Sequence, residues 1–116
     1  MPFKKLQVWN KAMELSIAVY QHTQNFPKSE MFGLQSQMRR AAVSVVSNIA
    51  EGSQRTSDKE FAQYILIARG SLAELETQRL IASKMGYLLE KSAEDLETKI
   101  IEVDKMLYGM YRKLVT

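Results

Sequence analysis

The sequence contains no cysteine, one histidine and no glycine-rich phosphate loop, and each absence excludes a class of chemistry. Without cysteine the chain has no disulfide, thiol nucleophile or Cys-ligated zinc, and it suits a reducing cytoplasm. His22 has Val19 three residues before it, so the Glu-x-x-His pairs of di-iron bundles are missing. Glu51 has no nucleophile or oxyanion donor near it in sequence. We therefore expect no metal, no cofactor and no enzymatic activity.

Proline, glycine and long hydrophobic runs are also scarce. Only 2 prolines and 5 glycines interrupt a chain in which 46% of the residues are hydrophobic, which leaves room for long helices. No apolar run reaches the length of about 18 residues that a membrane span needs, and Lys11 and Glu14 interrupt the first apolar stretch. We therefore expect a single all-α domain over residues 1–116, in the cytoplasm, with neither a signal peptide nor a membrane span.

Apolar residues recur at helical spacing in the first half of the chain and predict two helices. The first runs from Leu6 to Thr23, with its apolar stripe at Leu6, Trp9, Ala12, Met13, Ile17 and Tyr20. The second runs from about Leu34 to Glu51, and Gly52 is expected to follow its end in a left-handed conformation. The stripe of this second helix is Leu34, Met38, Ala41, Val45 and Ile49.

Two further helices are predicted in the second half. Ser57 and Glu60 have capping-box spacing at the start of a third helix, from about Asp58 to Met85, that stops at Gly86. Its stripe is Phe61, Ile65, Ala68, Leu72, Leu75, Arg79 and Ala82. A fourth helix is expected to open at Ser92, with its stripe at Leu96, Ile100, Val103, Leu107, Met110 and Leu114.

Four amphipathic helices joined by short loops predict an antiparallel, up-down-up-down four-helix bundle. The third helix is longer than the second, so part of it is expected to overhang the bundle and to need another subunit. Methionines at helical spacing are more often core residues than a binding surface. On that ground we expect a core position for Met31, Met38, Met85, Met106 and Met110.

The second helix has fewer charges than a surface helix needs. Arg39 and Arg40 are the only charged residues between Leu34 and Ala50. Small or apolar residues lie opposite the core stripe, and they are Ser36, Val43, Ser47 and Ala50. This face predicts a homo-oligomer contact. Gly70, inside the third helix, predicts close packing against another backbone.

Mostly polar rows run beside the core stripes of the second and third helices. The row on the second helix is Gln37, Ala41, Ser44, Asn48 and Glu51, and that on the third is Tyr64, Ile67, Ser71, Glu74 and Gln78. We expect the two rows to face each other and to set the register of the helices by hydrogen bonding. The alternative is a groove that binds a ligand.

Basic residues are in excess only in the first half of the chain. Residues 1–58 carry seven basic and four acidic side chains, whereas residues 59–116 carry nine of each. The candidate phosphate contacts are Arg39, Arg40, Lys4, Lys5, Lys11, Arg55 and Lys59. The alternative is a solvated basic face, because no known nucleic-acid motif accompanies these residues. His22 is expected either to bond a carbonyl at the helix end or to lie in solvent.

The second helix also carries a pattern that is specific to one family. The pattern is Gly33-Leu34, Gln37, Arg39-Arg40-Ala41-Ala42, Ser44 and Ser47-Asn48-Ile49-Ala50-Glu51-Gly52. It resembles the bacterial 23S ribosomal RNA intervening-sequence proteins, which are four-helix bundle proteins. Further matches along the chain are Leu6, Val8, Trp9, Ala12, Leu15, Phe26, Pro27, Gly70, Ser71, Glu74, Gly86, Tyr87 and Leu88. Val46 departs from the pattern, since many members have proline there.

The resemblance implies a bundle that assembles into a homo-oligomeric ring, a pentamer. It also implies kinship with the accessory protein of diversity-generating retroelements, and therefore RNA or DNA and a reverse transcriptase as partners. The family name records that some of its genes lie inside ribosomal RNA genes, and it establishes no biochemical activity.

Two functions follow as hypotheses. The first is a non-enzymatic, ring-forming protein with a nucleic-acid-binding or accessory role, in which Arg39, Arg40 and neighbouring basic residues contact phosphates. The alternative is an oligomeric scaffold that binds protein partners and no nucleic acid. In that case the arginines serve subunit contacts, such as a pair with Glu51 or Glu74.

Overall fold

Four α-helices make up most of the computed structural model, which describes residues 2–116. They are α1 (Gln7–His22), α2 (Leu34–Ser53), α3 (Asp58–Lys84) and α4 (Glu90–Val115). Short 3₁₀ turns at Phe3–Lys5 and Lys28–Glu30 precede α1 and α2, and residues 2–116 contain no β-strand. The prediction of an all-α four-helix bundle is confirmed.

Contacts between neighbouring helices show that each pair is antiparallel. Lys11 near the start of α1 pairs with Glu102 in α4 at 3.6 Å, whereas His22 at the end of α1 contacts Asp95 near the start of α4 at 2.8 Å. The same reversed order holds for α2 with α3 and for α3 with α4. The side-chain pairs that show it are Ser44 with Ser71, Arg55 with Tyr64, Arg69 with Asp104, and Arg79 with Glu97.

The ends of α3 have the capping signals that the sequence predicts. The Ser57 hydroxyl accepts a hydrogen bond from the Glu60 backbone N–H at 3.1 Å, so Ser57 caps the first turn. Gly86 has a positive φ of 78° and donates its N–H to the Ser83 carbonyl, while Tyr87 donates to Ala82. These two bonds form a Schellman motif, which ends the helix where the glycine tolerates the left-handed conformation.

Two predicted helix ends are wrong. Gly52 lies inside α2, which continues to Ser53, because the backbone there stays helical and Gly86 is the one glycine with positive φ in residues 2–116. Helix α4 begins at Glu90 rather than at Ser92. Leu89 is its N-cap residue and supplies no side-chain cap, so the capping pattern at Ser92 is a misleading signal.

The core consists of one stripe from each helix. The predicted stripes of α3 and α4 are buried, apart from the partly buried Met110 and Leu114, and the α2 stripe is buried apart from Leu34. The predicted stripe of α1 is wrong in part, because Ile17 and Tyr20 are exposed. Helix α1 is apolar on several sides, and the side that packs carries Val8, Ala12, Leu15 and Val19.

The predicted overhang of α3 is covered only in part within the chain. Helix α3 has 27 residues and α4 has 26, so the two long helices extend together beyond α1 and α2. The connection between α1 and α2 packs against this extension, since the rings of Phe26 and Tyr87 lie 5.6 Å apart and the Tyr87 hydroxyl donates to Glu30 at 3.1 Å. This connection covers one side of the extension, whereas Leu80 and Ile81 of α3 stay exposed. Met31 and Met85 at this end are exposed, which contradicts their predicted core position.

Candidate functional site

An open groove of about 480 Å³ lies between α2 and α3. It is lined by Phe32, Ser36, Gln37, Arg40, Ala41, Ser44, Ser71, Glu74 and Gln78. Three members of each predicted polar row are in this lining, so the structure brings the two rows together.

One hydrogen bond links the two rows. The hydroxyls of Ser44 and Ser71 are 2.8 Å apart, and Ser71 is buried. Asn48 does not cross to α3; its side-chain N–H donates to the carbonyl and the hydroxyl of Ser44 in its own helix, at 2.8 and 3.1 Å. Asn48 therefore orients the serine that makes the contact with α3.

Two charged side chains in the groove have no partner. Among residues 2–116, the side chains of Arg40 and Glu74 make no hydrogen bond or ion pair, although both line the groove. The Oε1 atom of Gln78, one helical turn after Glu74, is buried and accepts no hydrogen bond within the described chain. The groove thus offers a cation and an anion to a molecule outside this chain.

The surface around the groove is apolar or small. Phe32 is 92% exposed, Ile67 52%, Ile81 47% and Val43 41%, while Ser47 is also exposed. Gly70 lies on the same side, and a Cβ added to it meets nothing within 4 Å, so no backbone of this chain packs closely there. The predicted close packing at Gly70 is therefore not found within the subunit. We call this groove with its surroundings, on the outer sides of α2 and α3, the α2–α3 face.

Several of the predicted phosphate contacts already have partners. Arg39 donates to the Thr23 hydroxyl at 3.0 Å and to the Tyr20 carbonyl at 3.2 Å, so it binds the end of α1. Arg55 pairs with Glu51 at 3.1 Å and stacks on Tyr64. Lys11 pairs with two carboxylates, those of Glu14 and Glu102. In contrast to these three, Lys4, Lys5 and Lys59 have exposed side chains without a partner in the described chain.

The antiparallel order collects basic residues at one end of the bundle. We define the basic end as residues 2–10, 51–60 and 108–116, where α1 and α3 begin and α2 and α4 end. This end contains three acidic and six basic residues, and the basic ones are Lys4, Lys5, Arg55, Lys59, Arg112 and Lys113. The opposite end, residues 22–34 and 80–95, has three lysines and four carboxylates. The sequence does not predict Arg112 and Lys113 as phosphate contacts. They lie at this end because α4 ends there.

Arg40 does not belong to the basic end. It lies near the start of α2, and the 14 residues that separate it from Gln54 correspond to about 21 Å along the helix axis. Arg39 lies at that same distant end, bound to α1. The predicted set of phosphate contacts is thus divided between two parts of the molecule.

A buried arginine links α3 to α4. Arg79 is 5% exposed and donates to Glu76 at 2.6 and 3.0 Å and to Glu97 at 3.0 Å. The hydrogen bond with Glu76 raises the pKa of Arg79, and the charges of both carboxylates add to this effect, so the guanidinium stays charged. Its donors are occupied inside the bundle, and its role is structural.

His22 joins α1 to α4, which corrects the prediction of a carbonyl or solvent contact. Its Nε2 lies 2.8 Å from the Asp95 carboxylate, which also accepts from Lys99 at 2.6 Å. The hydrogen bond from Lys99 and, after it, that with His22 lower the pKa of Asp95 below its ordinary value.

No helix in the described part of the chain is long and apolar enough to cross a membrane.

Comparison with known families shows which family the chain belongs to. The family model of the 23S rRNA-intervening sequence proteins matches residues 4–109, which include the whole α2–α3 face and most of the basic end. The chain belongs to this family. Arg112 and Lys113 lie beyond the part that matches the model of the 23S rRNA-intervening sequence proteins. Comparison with curated proteins gives no match.

A solved structure has the same fold as this 23S rRNA-intervening sequence protein. It is the crystal structure of a protein of unknown function from the S23 ribosomal protein family of Bacteroides thetaiotaomicron. The TM-score is 0.80 with 22% sequence identity, over 90% of this chain and 97% of that chain. At this identity the similarity shows a shared fold and carries no statement about activity.

Proposed function

We propose that this 23S rRNA-intervening sequence protein is a non-enzymatic homo-oligomer that binds RNA or DNA through its basic end. The observation that carries the proposal is the concentration of basic residues at one end of the bundle. The basic end has an excess of three positive charges, equal to the net charge of the whole chain, and Lys4, Lys5 and Lys59 within it have no partner in residues 2–116. Unpaired lysines are suited to phosphate contacts because binding releases the counterions of the nucleic acid.

Assembly would strengthen such weak contacts. Each subunit of a ring repeats the same lysines, so a nucleic acid that contacts several subunits binds more tightly than it binds one. The pentamer implied by the family resemblance is the form that we propose. Contacts to phosphates carry no sequence information, and binding is therefore expected to discriminate poorly between sequences.

Fluorescence anisotropy with labelled RNA and duplex DNA over a series of salt concentrations tests the proposal. The triple variant Lys4→Gln, Lys5→Gln, Lys59→Gln should bind more weakly at low salt. On duplex DNA, the slope of log affinity against log salt should decrease by about 0.9 for each phosphate that the variant no longer neutralises. Light scattering checks that the assembly is unchanged.

The matched control removes three lysines from the opposite end. Lys28→Gln, Lys84→Gln and Lys91→Gln change the net charge equally, and these side chains are also exposed and without a partner in residues 2–116. We expect this variant to keep the wild-type slope. Equal decreases in both triple variants would show that net charge, and not the basic end, determines binding.

The exposed apolar residues of the α2–α3 face support a second candidate function, a scaffold for protein partners. Phe32 and Ile81 lie on that face with Val43, and none of them contributes to the basic end. An intact oligomer that binds neither RNA nor DNA at about 50 mM salt, where phosphate contacts are strong, would reject the first proposal in favour of this one. A reverse transcriptase then remains the partner that the family resemblance implies.

A further inference from the structure

Phe3 is an aromatic residue at the basic end that does not belong to the core. It is partly exposed, and in the described chain it is neither a core residue nor one of the partly buried residues packed against the core. Its ring lies 5.3 Å from that of Trp9, which does pack against the core. The next two residues are Lys4 and Lys5, whose side chains are exposed and have no partner in residues 2–116. An aromatic ring thus lies beside two unpaired cations.

Hydrogen bonds hold the turn that carries Phe3 against the start of α1. The side-chain N–H of Asn10 donates to the carbonyls of Lys4 and Leu6, both at 3.0 Å. The backbone N–H of Leu6 donates to the Phe3 carbonyl, also at 3.0 Å. The turn is therefore ordered before a partner binds, which reduces the entropic cost of binding.

We infer that the basic end binds single-stranded nucleic acid more tightly than a duplex, and that a base of the strand stacks on Phe3 while Lys4 and Lys5 contact phosphates. This inference rests on the proposed binding of RNA or DNA and identifies the form that is preferred. An aromatic ring can stack with any base, because every base has a π-face. In a duplex the bases are already stacked on one another, so the ring adds affinity for a single strand only.

Exposure of an aromatic ring is not sufficient for such a site. Phe32 is the most exposed large hydrophobic residue of residues 2–116, at 92%, and it lies at the end opposite to the basic end. It lines the same groove as the unpaired carboxylate of Glu74, which repels phosphates. Phe3 has no unpaired carboxylate beside it in the turn and is followed by two lysines. Phe3 is therefore the ring that suits a nucleic acid.

Fluorescence anisotropy with a single strand and its duplex tests the inference. The probes are labelled oligo(dT) of about 20 nucleotides, which is longer than the site of most single-strand-binding domains, and its duplex with oligo(dA). Phe3→Ala should raise the Kd for oligo(dT) about fivefold or more and change that for the duplex by less than about twofold. Phe3→Trp should keep the wild-type Kd for oligo(dT) because it retains a ring. Phe3→Leu should resemble Phe3→Ala.

Phe32→Ala is the matched control, and it should leave both Kd values unchanged. Because Phe3 lies outside the core, its variants should keep the helical circular dichroism of the wild type. Trp9 gives an independent readout, since it is the one tryptophan of the chain and contacts Phe3. Its fluorescence should be quenched by oligo(dT) and much less by the duplex, because only the single strand places a base beside Phe3.

The outcomes separate the inference from the proposed function. An unchanged Kd for oligo(dT) in Phe3→Ala, or an equal loss of affinity for strand and duplex, would overturn the inference and leave the proposed nucleic-acid binding standing. Wild-type affinity for oligo(dT) in Phe3→Leu would also overturn it, since a side chain without a ring cannot stack on a base. A wild-type protein that binds neither oligo(dT) nor the duplex would overturn both the inference and the proposed function.

Discussion

Of the two glycines in α2 and α3, Gly52 is the one where an added Cβ would meet the neighbouring helix. A Cβ added at this position would be 2.5 Å from the Cβ of Tyr64 and 3.0 Å from Cδ1 of Phe61. We predict that Gly52→Ala lowers the free energy of unfolding by about 1–3 kcal/mol, because the cost of overpacking exceeds the preference of about 1 kcal/mol for alanine in helices. Urea unfolding at a fixed protein concentration measures this change.

Gly109→Ala is the matched control for that substitution. Gly109 is also helical, and a Cβ added to it meets nothing within 4 Å. Its replacement should raise the free energy of unfolding by about 0.5–1 kcal/mol, since only the helix preference acts. If both variants are stabilised, then α2 and α3 are not in close contact at Gly52.

Asp95 should contribute to the change of stability with pH. Its pKa is lowered first by the hydrogen bond from Lys99 and then by that with His22. A lowered folded-state pKa contributes stability that is fully present above the unfolded pKa of about 4 and is lost as the pH falls through the folded value. The difference in Tm between the wild type and Asp95→Asn should therefore narrow between about pH 5 and pH 3.

Glu94→Gln is the control for this prediction, because Glu94 is exposed and has no ion pair in residues 2–116. Its Tm should follow that of the wild type across the same range. A constant Tm difference between the wild type and Asp95→Asn would contradict the role that we assign to Asp95.

Two adjacent arginines show why the contacts of a single side chain could not be predicted from the sequence. Arg39 and Arg40 have the same chemistry, and the sequence predicts both as phosphate contacts. The bundle turns Arg39 toward the end of α1, where Thr23 and the Tyr20 carbonyl accept its donors, and turns Arg40 toward the groove. The direction of each side chain depends on which side of α2 meets α1, and that follows from the packing of all four helices.

At the scale of helices, the core positions of α3 and α4 are predicted best because each stripe keeps an alternating spacing of four and three residues along the whole helix. Every predicted core position of α3 is buried, including Arg79, whose charge is compensated by Glu76 and Glu97. Helix α1 is predicted less well, because apolar residues occur on several of its sides. Propensity and spacing alone do not distinguish the stripe with Ile17 from the stripe with Leu15, and only packing against α2 and α4 selects the latter.

The contact between Ser44 and Ser71 should fix the register of α2 against α3. Ser44→Ala removes the acceptor or donor of a buried hydroxyl and one of the two bonds of Asn48, so it should cost about 1–2 kcal/mol. Ser71→Ala should cost a similar amount. The double variant should cost less than the sum of the single ones by about 1 kcal/mol, since neither hydroxyl is then left alone.

A double-mutant cycle by urea unfolding on the four proteins measures this coupling. Additive effects would show that the two hydroxyls do not act together. Asn48→Leu should weaken the coupling between the serines, because Asn48 orients Ser44 rather than contacting α3.

At the scale of the molecule, the structure separates two surfaces that the sequence analysis combined. Lys4, Lys5 and Arg55 belong to the excess of positive charge in the first half of the chain, and all three lie at the basic end. Arg112 is more than a hundred residues from Lys4 in the chain, so no local pattern connects the two. The antiparallel order brings them to the same end, while Arg40 lies on the α2–α3 face.

The central claim is that nucleic acid contacts the basic end and not the α2–α3 face. Photo-crosslinking of the wild-type protein to RNA that contains 4-thiouridine, followed by mass spectrometry of the peptides, tests this claim most directly. Crosslinks should fall in residues 2–10, 51–60 and 108–116, and high salt should abolish them because the contacts are electrostatic. Crosslinks confined to residues 34–44 and 70–81 would contradict the account, since the α2–α3 face would then be the surface that binds RNA.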